Sequence, residues 1–70
     1  MLNDNELAIL AKAHDFMQEL DNFLYEHEES DFNFNRDEVS TMLLSCASNI
    51  EEIAIKLVGY TRWIDFKVKE

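Results

Sequence analysis

Residues 35–60 read NRDEVSTMLLSCASNIEEIAIKLVGY, and this stretch decides the fold class. From Val39 the apolar residues Leu43, Cys46, Ile50, Ile53, Leu57, Tyr60 and, just beyond, Ile64 recur at alternating steps of four and three. That spacing is an a/d heptad row on a helix. A second apolar row, Leu44, Ala47, Ala54, Ile55 and Val58, lies on another flank, with Thr41, Ser45, Ser48 and Asn49 between the rows. A helix apolar on two flanks needs more than one neighbour to cover it. Asn35 is placed to cap its first turn, and Glu38 stands where a capping-box glutamate would. Gly59 is the only glycine of the chain, which has no proline.

Upstream, residues from about 5 to 29 read as a first helix, with Asn3, Asp4 or Asn5 as its cap. Leu10, Ala13, Met17, Leu20 and Leu24 form its apolar stripe, and Ile9, Phe16 and Phe23 form a second row beside it. The link at residues 30–35 is short enough to force the helices antiparallel. The first helix, at about 1.5 Å per residue, is matched by the second up to about Tyr60. Residues 60–69 therefore overrun the hairpin, carrying Tyr60, Trp63, Ile64 and Phe66 with them. Two ways of covering that segment are open. The chain bends at Gly59 into a short third helix, or a second subunit covers it. The expectation is an all-α chain: a single small domain (residues 1–70) built as an antiparallel helical hairpin, with a helical segment at about 60–69, dimerising into a helical bundle. A core this small is marginal without a disulfide, a metal or oligomerisation. Cys46 is the only cysteine, so no disulfide closes within the chain.

Charge is the second strong signal. The chain holds 15 acids and 6 bases, for a net charge of −9. Up to Ile55 there are 13 acids against Lys12 and Arg36; from Lys56 onward there are four bases and two acids. Such an excess repels nucleic acid and anionic membrane and favours a basic partner surface. Asp15, Glu19, Glu26 and Glu29 share one helical face, and Asp31 follows in the link. These five are the candidate partner-binding residues. The candidate apolar interface is Leu44, Ile55, Tyr60, Trp63, Ile64 and Phe66, with Arg62, Lys67 and Lys69 interleaved among the aromatics.

Other motifs carry less. Asp31, Asn33, Asn35 and Asp37 alternate as a calcium loop begins, but Arg36 stands where glycine is needed and Met42 where a bidentate glutamate closes the site. No metal site and no cofactor are expected. His14 and His27 read as boundary histidines, and Cys46, within the heptad row, reads as a buried structural thiol. No nucleophile elbow or phosphate-cradling loop is present in the sequence, so an enzyme is not expected. The N-terminus has no basic region followed by an apolar run, and no apolar stretch is long enough for a bilayer; the expected location is cytoplasmic. The functional expectation is a small acidic regulator or inhibitor that binds a basic protein surface. The alternatives are an acidic DNA mimic that inhibits a nucleic-acid-binding protein, as some phages encode, and a structural subunit of a larger helical assembly.

Overall fold

A computed structural model describes residues 2–69, whose regular elements are all helices, with no strands among the described residues. Helix α1 spans Asp4–Glu26, α2 spans Arg36–Val58 and α3 spans Tyr60–Lys69. A single 3-10 turn at Glu29–Asp31 interrupts the link between α1 and α2. The shape is elongated, 44 × 20 × 16 Å, as expected of a hairpin of two 23-residue helices. α1 and α2 form the main packing, and α3 lies mostly against α2.

Local chemistry explains each boundary. Asn3 caps α1 in a reciprocal box: its Oδ1 accepts from the Glu6 N–H at 2.9 Å, and Glu6 Oε1 accepts from the Asn3 N–H at 3.3 Å. At α2 only half of that box forms. Asn35 Oδ1 accepts from the Glu38 N–H at 3.1 Å, without the return bond from the Glu38 carboxylate expected from sequence. α1 stops at Glu26, three residues before the expected end. Its last turn has no base, and Glu28 and Glu29 would add negative charge to the negative end of the helix dipole. His27 turns out into extended backbone instead. The cation missing from α1 comes from the next helix: Arg36 Nη1 donates to the His27 carbonyl at 2.8 Å, with its guanidinium 5.7 Å from the Tyr25 ring centre. α2 ends at Gly59, whose φ of 89° and ψ of 154° are open essentially to glycine alone. The chain reverses there, and the segment after it folds back as a helix. Of the two ways of covering Trp63, this chain uses the intramolecular one.

The seam between α1 and α2 differs from the expected one. Its buried positions include Leu7, His14 and Asp21 on α1 and Ser40, Ala47 and Ala54 on α2, each set at intervals of seven, with Ala11 and Leu24 of α1 buried beside them. The Ser40 hydroxyl donates to the Asp21 carboxylate. An antiparallel register anchored on that pair sets His14 against Ala47 and Leu7 against Ala54. Each layer thus opposes a larger α1 side chain to a small α2 one. The small residues leave room for Trp63, which is wholly buried with Leu7, Ala11 and Ala54. Burying an indole removes on the order of 150–250 Å² from water, roughly 4–6 kcal/mol of transfer free energy before ordering costs. Its Nε1–H has no acceptor, which offsets part of that gain.

The row of large residues read as the heptad seam is therefore not the seam. Val39, Leu43 and Ile50 are half-buried at its margin, while Cys46, Ile53, Leu57 and Tyr60 are exposed. Periodicity of 3.5 residues exists on α2 at more than one phase. The phase buried within the chain is the one whose small side chains admit both α1 and Trp63.

Candidate functional site

The acidic edge is built by α1. Residues 15, 19, 22 and 26 lie on one side of the helix by its 3.6-residue repeat, and all four are exposed. Only the near end of the row meets a cation: Asp15 Oδ1 is 3.7 Å from Lys67 Nζ. Among the described residues no Lys, Arg or His pairs with Glu19, Glu26 or Glu29. Asp31 Oδ2 lies 3.8 Å from His27 Nδ1, and Glu29 and Asp31 both stand in the 3-10 turn past the end of α1. The edge thus continues around the loop end, where Asp37 and Glu38 begin α2. The same geometry answers the calcium pattern: Asn35 is engaged as the α2 cap and Asp31 lies beside His27.

A partly buried polar cluster around His14 joins the three helices, and sequence reasoning did not anticipate it. His14 is buried, with its ring edge-on to Trp63 at 6.3 Å. Lys67 Nζ lies 2.8 Å from His14 Nδ1. An ammonium only donates, so Nδ1 is the acceptor and Nε2 carries the ring proton. On the Nε2 side, Glu51 Oε2 is 3.3 Å away. Lys67 Nζ is also 5.5 Å from the Trp63 ring centre, and Arg62 lies 3.5 Å from Asp4. These contacts fix α3 on the hairpin; among them is no hydroxyl or thiol for a nucleophile. Cys46, expected to be a buried thiol, is exposed, on a flank of α2 about 140° around from Glu51.

The six residues of the expected apolar interface separate. Trp63 is buried inside the chain, and Ile55, Ile64 and Phe66 are half-buried against the same cluster. They form the internal joint of α3, which corrects the reading of this segment as uncovered. Leu44 and Tyr60 remain exposed.

Two concavities remain. A groove of about 570 Å³ runs between the start of α1 and α3, where Asp4 and Asp65 balance Arg62 and Lys69. A second, of about 350 Å³, opens at the loop end and is lined by apolar side chains, among them Leu20, Phe23, Phe32, Phe34, Val39 and Leu43. It belongs to the face of the hairpin opposite α3. On that face the helical repeat places Leu10, Ala13, Met17 and Leu20 of α1 beside Val39, Leu43, Cys46, Ile50, Ile53 and Leu57 of α2, with no charged residue among them. No helix of the described residues is long and apolar enough to cross a membrane. Compared with family models, with curated proteins and with solved structures, the chain matches none.

Proposed function

We propose that this chain is a non-enzymatic interaction module, a small regulator or inhibitor whose acidic edge docks on a basic protein surface, and that it acts as a homodimer. The observation that carries the docking is the exposed α1 row Asp15, Glu19 and Glu26, continued past the helix end by Glu29 and Asp31, with Lys67 beside Asp15 and His27 beside Asp31. Like charges held along one edge disfavour an isolated helix by about 0.2–0.5 kcal/mol per pair, and a basic partner relieves that repulsion on binding.

Affinity capture at low salt tests this, eluting first with duplex DNA and then with a salt step. The expected partner stays on through the DNA and leaves with salt. It is lost when Asp15, Glu19, Glu26 and Glu29 are all replaced by Lys. A partner displaced by DNA would make the chain a DNA mimic. A partner retained by the four-lysine variant would remove the acidic edge from the function and point to a structural subunit.

A further inference from the structure

The face opposite α3 is chemically unlike the rest of the molecule. On a chain of net charge −9 its centre presents no charged side chain; Glu6, one turn before Leu10 in the same row, is the acid at its α3 end. Ile53 and Leu57 are about half exposed on its α2 side, at 49% and 50%. Phe16 and Phe23 rim its α1 side at 54% and 49%. The core the chain builds for itself is meanwhile thin: six buried apolar residues among those described, three of them alanine. A chain of this size with so small a core is short of stabilisation on its own.

We propose that a second copy of this chain covers that face, with the loop end of one copy over the α3 end of the other, so that the two α2 helices cross antiparallel with Cys46 next to the two-fold axis. The inference deepens the homodimer part of the functional reading and is independent of the acidic edge. Three observations select the occupant. The first is charge: a face whose one acid, Glu6, stands at its end offers little to the basic partner that the acidic edge attracts, whereas its apolar centre complements itself under a two-fold axis. The second is area. Half-exposed Phe16, Phe23, Met42, Ile53 and Leu57, with Ile9 and the half-buried residues between them, offer on the order of 800 Å² per copy, which is what one partner contributes to a stable interface. The third is the difference between the ends. Glu28, Glu29, Asp31, Asp37 and Glu38 crowd the loop end around Arg36, while at the other end Lys56 and Arg62 offset Glu52 and Asp4. Loop over loop would stack two strongly acidic ends; loop over tail sets one such end against a more nearly balanced one. Ala47 is the midpoint of α2, and Cys46 beside it points out on the open flank, so the antiparallel arrangement brings the two thiols close together.

Sedimentation equilibrium of the full chain tests the association, and a short thiol–thiol cross-linker tests the geometry. The expected results are twice the 8.3 kDa chain mass at micromolar concentration and a cross-linked dimer through Cys46. Association tightens several-fold as salt is raised, because two acidic chains repel and salt screens them. Binding to a basic partner weakens over the same range, so failure of one reading is distinguishable from failure of the other. Ile53→Glu is expected to weaken the dimer more than 100-fold, and Leu44→Glu, on the α3 side, to leave it within about 2-fold; circular dichroism at low concentration verifies that both remain helical. If Ile53→Glu does not fold, the wild-type mass and the Cys46 cross-link still decide. A chain that stays monomeric at high micromolar concentration, or that leaves solution for neutral lipid vesicles instead, overturns the proposal. So does a dimer broken by Leu44→Glu and not by Ile53→Glu. A dimer that resists cross-linking through Cys46 overturns the loop-over-tail arrangement.

Discussion

The two faces of the α1–α2 hairpin are made by the same two helices and follow opposite rules. The face under α3 sets small and polar residues, Ala11, His14, Ala47, Glu51 and Ala54, around two fully buried large side chains, Trp63 and Leu7. The opposite face is built from larger aliphatic and aromatic residues, and many of them are exposed. Apolar size is therefore a poor guide to burial within this chain. A buried side chain must fit against specific neighbours, and the small residues of α2 are the ones that let a tryptophan in.

The sharpest way to break this contrast is to remove the indole. Trp63→Ala should cost about 3–5 kcal/mol, comparable to the whole stability of a chain this small, and abolish cooperative thermal unfolding by circular dichroism. A variant that kept a cooperative transition within about 1 kcal/mol of wild type would mean that α3 contributes little to the core. Gly59→Ala tests the bend that brings Trp63 into place. The added Cβ meets nothing within 4 Å, so the cost is backbone strain alone, about 1–3 kcal/mol. The expected sign is a lower thermal midpoint with Trp63 fluorescence shifted toward the solvent-exposed range; unchanged emission would sink the account of Gly59 as a required turn.

Ser40→Ala probes the polar end of the seam. Asp21 is buried, and the Ser40 hydroxyl is its hydrogen-bond donor. Losing that donor should lower stability by about 1–3 kcal/mol, read as a drop in urea midpoint at unchanged slope. Asn3→Ala removes the α1 cap and should cost about 1 kcal/mol. The smallest effect is expected on the open face. In dilute, monomeric protein Ile53→Ser should change stability by no more than about 0.5 kcal/mol, because the side chain is already half in water. The same substitution at high concentration should cost far more if a second copy covers it. A large loss at both concentrations would show that the open face is part of the monomer core.

Several of these features were legible in the chain because their causes are local. Asn35 as a cap, Gly59 as a break and the helical period of residues 39–58 all depend on groups within a few residues of one another. Helix α1 ended earlier than its periodicity implied, and the reason, acids at the negative end of a dipole with no base nearby, was also local. The buried seam was harder to see. Asp21 was passed over because a carboxylate is ordinarily exposed; what buries it is Ser40, nineteen residues away. The contact of His14 with Lys67 spans 53 positions.

Composition, period and the short link alone set the all-helical character, the antiparallel hairpin and the uneven distribution of charge. Helix propensity, capping and charge are properties of neighbours along the chain. Which phase of the heptad is buried, that Trp63 is shared among all three helices, that Cys46 faces outward, and which apolar face is left for a partner all came from packing in three dimensions. Two faces of one helix compete for burial at similar hydrophobic gain, and the outcome turns on fit between side chains far apart in sequence.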